Sequence, residues 1–351
     1  MRVVVVGATG NVGTSTLESL ARDDRVDSIV GLARRRPELR MPKVEWAEAD
    51  VRSADLVGLF DGADAVIHLA WLIQPSRDEN ETESVNVVGS ERVFGAVADA
   101  GVPRLVYASS VGAYSPGPKD RFVDESHPTD GIETSFYSRH KAATERILDR
   151  FEASTPKVSV ARLRPALIFK GEAASGIRRQ FAGPFLPNPL LNPKLIPLIP
   201  DLPGLRFQAV HSLDVGDAYR RAVFSDAAGP FNIAADPVLD PERLARLLGA
   251  RRVKVPAKLV RGLTTATWKL RLQPSPPGWL DMALNVPLMG TERARTELGW
   301  EPRRTSEEAL LELIDGLRHG RGLPTPPLDP HTGGPLRSRE IASGIGARPA
   351  V

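Results

Sequence analysis

The sequence predicts an α/β protein built on a doubly wound parallel sheet, with a smaller C-terminal lobe. Short β-branched runs alternate with helix-length amphipathic stretches through the first half of the 351 residues, as in repeated βαβ units. A glycine-rich turn joins the first of these strands to the first helix. Together these observations predict a sheet that binds its ligand at the carboxyl edge of its strands.

The positions of apolar residues define the individual elements. Apolar positions three and four apart predict helices, whereas short runs rich in valine and isoleucine predict strands. The predicted strands are residues 2–6, 28–33, 44–50, 65–70, 104–110 and 158–164. The predicted helices are residues 11–22, 84–100 and 135–151.

The character of the sequence changes after Arg164, and this change predicts the domain organisation. A proline-rich excursion runs from Gly183 to Gly204. We assign residues 1–168, with about 209–235, to a dinucleotide-binding domain of the Rossmann type. Residues 169–208 and 236–321 form the predicted substrate-binding lobe. Proline, glycine and charge dominate residues 322–351, which predicts a flexible tail.

Composition excludes several classes of partner. The chain has 46 basic and 43 acidic residues, so its net charge of +3 gives no case for nucleic acid binding. It has no cysteine, and its six histidines lack metal-ligand spacing, so no metal is predicted. We interpret His68 as a core residue and His140 as a surface residue. Because neither a signal peptide nor an apolar run of roughly 20 residues is present, we expect a cytoplasmic protein with no membrane partner.

The turn GATGNVG follows the first strand and opens the first helix. Glycines three residues apart permit a tight turn, allow backbone amides to approach a pyrophosphate, and let the helix pack on the sheet. The turn therefore predicts a dinucleotide site. Its predicted contacts are Gly7, Thr9, Gly10, Asn11, Val12 and Gly13.

The ends of the second and third strands predict which dinucleotide binds. An acidic residue after the second strand would bind a free ribose 2′-hydroxyl, whereas an arginine would neutralise a 2′-phosphate. The run GLARRR has Arg34 and Arg35 at this point, which favours NADP over NAD, with a solvated loop as the alternative. Asp50, before Val51, could contact the adenine amino group or cap a helix.

A tyrosine and a lysine four residues apart predict the catalytic groups. Tyr137 and Lys141 occur as YSRHK, so in a helix both side chains lie on one face. An unperturbed tyrosine has a pKa of about 10, and a neighbouring ammonium is expected to lower it. Ser110 ends the strand run LVYASS, where its hydroxyl could bind the substrate oxygen. Ser109 could instead cap a turn or face the cofactor.

Side chains after the fourth and fifth strands predict a mostly apolar substrate wall. The predicted wall consists of Trp71, Ile73, Gln74 and Tyr114, and Pro187, Leu190, Leu191 and Leu195 could close over it. Such a wall suits an apolar or aromatic carbonyl compound better than a nucleotide diphosphate. The alternative is that these residues form the core that joins the two lobes.

These motifs resemble the extended short-chain dehydrogenases/reductases, which include the NAD-dependent epimerase/dehydratase group. The resemblance covers about residues 1–235. Besides the motifs above, it rests on VIHLA at 66–70, VNVVGS around Asn86, LRPALIFKG at 163–171 and HSLDVGDAY at 211–219. The run ELGWEPRR near Glu297 also looks like the family's usual C-terminal ending.

The resemblance implies roles for particular residues. Tyr137 would be the general acid/base, Lys141 would tune it and hold the nicotinamide ribose, and Ser110 would polarise the substrate oxygen. Further cofactor contacts would come from Leu69, Ala70, Asn86, Ala108, Pro165 and Ile168. Asn86 could equally satisfy buried backbone. The resemblance also suggests a homodimer formed by the helix after the fourth strand and the tyrosine helix.

Two departures from the family pattern bear on the reaction. Arg34 stands where family epimerases usually have an acid, and AYS ending at Ser115 stands in place of the usual YG pair. We therefore predict an NADP- or NAD-dependent oxidoreductase that transfers hydride between the nicotinamide and a carbonyl or alcohol. The alternatives are an NAD-retaining epimerase or dehydratase of sugar nucleotides, and a non-catalytic NADP-binding redox sensor.

Overall fold

The computed structural model describes residues 1–185, 197–342 and 344–347. The strands are β1 (Arg2–Val6), β2 (Ser28–Ala33), β3 (Val44–Glu48), β4 (Ala65–His68), β5 (Arg104–Ala108), β6 (Phe122–Val123), β7 (Ser159–Pro165), β8 (Leu167–Phe169), β9 (Leu198–Asp201), β10 (Phe207–His211), β11 (Gly229–Ile233), β12 (Ala235–Leu239), β13 (Arg251–Lys254) and β14 (Leu288–Met289). The predicted substrate-wall residues Pro187, Leu190, Leu191 and Leu195 lie outside the described residues.

The helices of the described chain flank these strands. They are α1 (Asn11–Ala21), α2 (Leu56–Phe60), α3 (Glu79–Glu83), α4 (Gly89–Asp99), α5 (Phe136–Ser154), α6 (Ala174–Ile177), α7 (Ser212–Phe224), α8 (Pro241–Leu248), α9 (Ala257–Lys269), α10 (Gly278–Asn285), α11 (Glu292–Leu298), α12 (Ser306–His319) and α13 (Ser338–Ala342). A π-helical turn, Ser84–Val88, joins α3 to α4.

The central sheet has seven parallel strands in the order β3-β2-β1-β4-β5-β7-β11. Successive side chains of β1 enter separate cores, because neighbouring residues of a strand point to opposite faces. Val3 and Val5 pack with α1 and α7, whereas Val4 and Val6 pack with residues of α4 and β5. The predicted α/β fold with a doubly wound parallel sheet is confirmed.

Two elements differ from the predicted boundaries. The seventh strand, β11, was not among the predicted strands because Gly229 and Pro230 weaken its strand pattern; Pro230 is tolerated because β11 lies at the sheet edge. The helical segment after β4 begins at Glu79 instead of residue 84. Asp78 caps it by accepting from the Glu81 amide. The prediction missed this first turn because it relied on apolar periodicity, and α3 is made of polar residues.

Outside the central sheet, the other described strands form smaller sheets. Strands β12, β10 and β8 form one sheet, β13 pairs with β9, and β14 pairs with β6. Helix α7 lies against α1, with Ser212 Oγ and Ser15 Oγ 2.9 Å apart. This contact fixes α1, whose first turn faces the carboxyl edge of the central sheet. The domain boundaries given above stay a prediction.

Candidate active site at the carboxyl edge of the sheet

The glycine-rich turn holds its backbone close to two neighbouring segments. Gly7 has a φ of +87°, and a Cβ there would lie 2.6 Å from the backbone nitrogen of Ala70. A Cβ at Gly13 would lie 2.5 Å from the carbonyl oxygen of Gly7. Both close approaches exclude a side chain. Gly10 precedes α1 without any side-chain cap, so the amides of the first turn can donate hydrogen bonds to an anion.

Asn11 connects this turn to the strand that follows β7. Its Nδ2 donates to the Ile168 carbonyl at 3.1 Å, while its Oδ1 is buried without a hydrogen-bond partner in the described structure. Asn11 Oδ1 can therefore accept a hydrogen bond from a ligand, and the uncapped amides of α1 can donate to one. The arrangement fits a dinucleotide: Gly7 to Gly13 would hold the pyrophosphate, with Pro165 at the end of β7 and Ile168 within β8.

The arginines after β2 are exposed at the same sheet edge. Arg34 and Arg35 follow Ala33 directly, and both are exposed. Both carboxylate oxygens of Asp50 accept from Arg52, at 2.9 and 2.7 Å, and this hydrogen bonding lowers the pKa of Asp50. Asp50 is not the cap of α2, since Asp55 accepts from an amide of that helix. Arg52 thus keeps the Asp50 carboxylate ionised, and the charge of Arg34 acts in the same direction.

The predicted catalytic side chains come together across β5 and α5. Tyr137 stands in the first turn of α5, which Ser135 caps by accepting from the Ser138 amide. Ser110 follows β5, and its Oγ accepts from the Gly112 amide at 3.0 Å. Since a hydroxyl carries one proton, this leaves the Ser110 proton free to donate. A Cβ at Gly112 would lie 2.8 Å from the Tyr137 ring, so Gly112 allows that close approach.

The protonation of Tyr137 corrects one sequence-based prediction. Burial raises the pKa of the Tyr137 phenol to about 12, and a hydrogen bond with Ser110 acts in the opposite direction. Lys141 was predicted to lower this pKa; that prediction was wrong for this arrangement. The Lys141 ammonium lies 5.8 Å from the Tyr137 ring centre, and burial has the larger effect. Near neutral pH the phenol therefore carries its proton.

Trp71 covers the ammonium of Lys141. The Lys141 Nζ lies 3.3 Å from the centre of the Trp71 ring and donates to the Ala108 carbonyl at 2.6 Å. Burial lowers the pKa of Lys141 well below its ordinary value, while the charge of Glu145 acts to raise it. The Trp71 ring also stands edge-on to Tyr137, with centroids 5.9 Å apart. Trp71 therefore lines the site beside both predicted catalytic side chains.

The second lobe completes an aromatic wall around Tyr137. The rings of Trp279 and Tyr137 have centroids 4.8 Å apart, and Phe181 meets Trp279 edge-on at 4.9 Å. Met282, one turn after Trp279 on α10, would lie 3.0 Å from a Cβ at Gly112. Sequence reasoning missed Trp279, Phe181 and Met282. The only local signal was the apolar run GWLDMAL, which by itself does not reveal its neighbour in space.

Two predicted substrate residues have structural roles instead. Tyr114 is fully buried, and its hydroxyl donates to Asn232 Oδ1 at 2.7 Å and accepts from Arg164, so the predicted substrate contact was wrong. Its position beyond the carboxyl end of β5 suggested the site, but the chain turns it into the core. Gln74 uses its amide to join loops: Nε2 donates to the Gln180 carbonyl at 2.7 Å.

Asn86 and His140 are buried neighbours, and Asn86 holds the loop that carries Trp71. Asn86 Oδ1 accepts from the Leu72 amide at 2.7 Å, and its Nδ2 donates to the Leu72 carbonyl at 2.8 Å. The amide of Asn86 thus satisfies buried backbone and holds the loop that carries Trp71. His140 was predicted at the surface, but it is 6% exposed because α5 packs against this loop. His68 is a core residue as expected, 2.8 Å from Ser90 Oγ.

A buried ionic network lies directly behind Ser110. Ser109 Oγ donates to Glu145 at 2.5 Å. Ser109 thus binds the buried carboxylate, whereas the Ser110 hydroxyl lies beside Tyr137. Glu145 is 1% exposed and accepts from Arg164 at 2.9 Å and from Arg162 at 2.9 Å. Burial acts to raise the pKa of Glu145, but hydrogen bonding and charge from Arg164, with Arg162 and Ser109, lower it to about 2. The network anchors the strand end that presents Ser110.

The described part of the C-terminal stretch touches both halves of the site. Thr325 Oγ1 donates to the Thr9 carbonyl of the glycine-rich turn at 2.9 Å. Glu340 pairs at 2.5 Å with Arg178, a buried side chain of the second lobe. The predicted flexibility of this tail stays a prediction, but its described residues make defined contacts. They contact the glycine-rich turn through Thr325 and the segment after β8 through Glu340.

Neither a metal site nor a membrane-spanning helix emerges from the described ranges. No group of three His, Cys, Asp or Glu side chains among these residues could hold a metal ion. Within the same ranges, every helix is too short or too polar to cross a bilayer.

Comparison with known proteins agrees with the fold and the motifs. A profile described as "NAD dependent epimerase/dehydratase family" matches residues 3–233. A curated "3 beta-hydroxysteroid dehydrogenase/Delta 5-->4-isomerase" of Mycobacterium tuberculosis is 27% identical over 338 residues, covering 89% of each chain. An uncharacterized protein of the same organism is 26% identical over 326 residues, covering 92% of this chain. The chain spans only 31% of that second relative's length.

Solved structures share the architecture. The dTDP-glucose 4,6-dehydratase DesIV from Streptomyces venezuelae, with NAD and TYD bound, superimposes with a TM-score of 0.66 at 18% identity. The superposition covers 91% of this chain and 97% of that one. At this identity the likeness establishes the fold alone.

Proposed function

The chain belongs to the NAD-dependent epimerase/dehydratase family, a family of enzymes, and we propose that it is an NADP-preferring oxidoreductase of apolar carbonyl or alcohol compounds. One observation carries the proposal. Tyr137, with a protonated phenol, stands between Ser110 and a wall made of Trp71 and Trp279. This combination offers a proton to an oxygen held against an apolar surface.

Ser110, Tyr137 and Lys141 would have different roles in the reaction. Bound nicotinamide dinucleotide would supply or accept the hydride. In the reductive direction, the Ser110 hydroxyl and the Tyr137 phenol both donate to the substrate carbonyl oxygen, and Tyr137 transfers its proton as the alkoxide develops. Lys141 donates from Nζ to the Ala108 carbonyl, close to where the nicotinamide ribose is expected. The aromatic wall excludes water from this transfer.

The wall also argues for the substrate class. Trp71, Tyr137, Trp279 and Phe181 present ring faces and edges, which favour flat apolar molecules over hydrated, charged ones. The relative named a 3 beta-hydroxysteroid dehydrogenase/Delta 5-->4-isomerase supports an apolar substrate of this kind. The sugar-nucleotide structures have the same fold, but their identity is too low to bring their substrates to this chain.

An assay of two reactions separates the proposal from its alternative. Purified protein is incubated with NADPH and a series of polycyclic or aryl ketones, and NADPH absorbance is followed. In parallel, UDP-glucose and dTDP-glucose are incubated with the protein, and their sugars are followed by NMR. We expect NADPH consumption with ketones and unchanged sugars. Conversion of a sugar nucleotide without NADPH consumption would instead assign the chain to epimerases or dehydratases.

Arg34 is the basis of the proposed NADP preference. Arg34→Asp should weaken NADPH binding by at least tenfold, because the variant loses a partner for the 2′-phosphate and adds a repelling charge. NADH binding should be equal or tighter, since an acid there can bind the free 2′-hydroxyl. Titration with both nucleotides, followed by nicotinamide fluorescence, measures the ratio. Arg150→Asp is the matched control, because Arg150 is exposed and lies in the last two turns of α5, far along the helix from Tyr137. Tighter binding of NADH than NADPH by the unmodified protein would refute the preference.

A further inference from the structure

Helix α9 exposes an apolar stripe where a surface helix normally buries one. None of its thirteen residues is buried within the described structure. Leu259 is 55% exposed, Leu263 58% and Leu270, at the helix end, 70%. Residues four and seven positions apart lie on one face of a helix, so the three leucines form one stripe. Amphipathic helices of globular proteins usually turn such a stripe toward the core.

Basic residues flank this stripe along the sequence. Residues 251–275 contain seven lysines and arginines and no aspartate or glutamate: Arg251, Arg252, Lys254, Lys258, Arg261, Lys269 and Arg271. The whole chain is close to neutral, with 46 basic and 43 acidic residues, so the excess in this segment is local. In space, Asp281 pairs with Arg261 at 2.8 Å, and Asp201 and Glu242 lie 3.9 and 3.8 Å from Arg252, so the other five cations carry most of the positive charge. Strand β13, which carries the first three of these cations, is exposed along its length. An apolar stripe beside concentrated positive charge is typical of helices that lie on anionic membranes.

The stripe lies next to the candidate active site along the chain and in space. The segment that follows α9 is anchored by Ser275 Oγ, which donates to the Phe181 carbonyl at 2.9 Å. It continues into α10, where Trp279 contacts both Phe181 and Tyr137. A surface held at α9 would therefore lie beside the aromatic wall.

We propose that α9 and β13 (residues 251–270) dock this protein on the surface of an anionic phospholipid membrane. The leucine stripe enters the interface between headgroups and acyl chains, and the surrounding cations contact lipid phosphates. The sequence argued against a membrane partner because it lacks a spanning segment, but a helix lying in the interface needs none. The contact itself requires no assumption about the reaction. That an apolar substrate enters the site from the bilayer rests on the proposed function.

Vesicle co-sedimentation of the full-length protein tests this proposal without cofactor or substrate. The probes are vesicles of phosphatidylcholine alone and vesicles containing phosphatidylglycerol. We expect binding to the anionic vesicles that weakens with added salt, and little binding to the neutral ones. Leu259→Ser combined with Leu263→Ser should reduce the partition coefficient at least tenfold. Lys258→Glu combined with Lys269→Glu should reduce it further, because each cation near such a surface contributes about fivefold.

The matched control is Leu311→Ser, an exposed leucine of α12 that is 38% accessible. It should bind vesicles as the unmodified protein does, and all variants should keep the circular dichroism spectrum and melting temperature of folded protein. Equal sedimentation with neutral and anionic vesicles, or none with either, overturns the proposal. So does a change from dimer to monomer in light scattering caused by the leucine variants without vesicle binding, which would make the stripe a self-association surface. Because turnover is not measured, these outcomes are independent of whether the proposed reaction is correct.

Discussion

Replacing Tyr137 with phenylalanine is expected to lower kcat for ketone reduction by about 10²- to 10⁴-fold, the usual contribution of a positioned general acid. The change removes the proton donor but keeps the ring that packs against Trp279 at 4.8 Å. NADPH should therefore bind with a similar Kd, and the fold should persist. Stopped-flow turnover and nucleotide titration on the same preparation measure the two effects separately. A non-catalytic redox sensor would lose little of its function with this variant.

Tyr114→Phe provides the matched control for that prediction. Tyr114 is also a buried tyrosine, but its hydroxyl is occupied by Asn232 and Arg164. Removing this hydroxyl should destabilise the protein by about 1–2 kcal/mol and leave kcat within about twofold. If the two variants lost turnover equally, Tyr137 would be a structural residue, and the proposed acid/base role would fail.

Arg164→Met is expected to cost about 3 kcal/mol of unfolding free energy, at the lower end for breaking a buried ion pair. Arg164 is 4% exposed and holds Glu145, which is 1% exposed and would lose its main partner. The loss is limited because Arg162 still contacts Glu145. Chemical denaturation at neutral pH, analysed at constant m-value, measures the difference.

The same variant should show a defined pH dependence. The contacts of Glu145 lower its pKa to about 2, below the ordinary value of 4.5. A lowered carboxyl pKa stabilises the fold above the ordinary value, and this contribution is lost as the pH falls from about 4.5 toward 2. The difference between Arg164→Met and the unmodified protein should therefore shrink in acid.

The surface pair Arg22–Glu18 is the control for this ionic effect. Its side chains are 76% and 38% exposed, so Arg22→Met should change stability by no more than about 0.5 kcal/mol at any pH. Should Arg164→Met prove as mild as Arg22→Met, the buried network would not anchor the strand end that carries Ser110.

Local sequence patterns were sufficient for the fold and for part of the candidate site. The alternation of strands and helices predicted six of the seven central strands, and GATGNVG predicted the turn at Gly7 to Gly13. The four-residue spacing of Tyr137 and Lys141 placed both on one helix. These features depend on backbone geometry and on residues close together in sequence. They can therefore be predicted without knowledge of the tertiary contacts.

Only the tertiary structure decided which side chains surround Tyr137. Trp279 and Phe181 reach it from the second lobe, and no local pattern records that approach. The sequence predicted Tyr114 as part of the substrate wall, but in the structure its side chain is fully buried in the core. The pKa of Tyr137 likewise depends on how deeply the second lobe buries it, and burial has a larger effect than the ammonium four residues away. Spacing thus determined which groups share a helix face, whereas packing between distant segments determined their surroundings and their protonation.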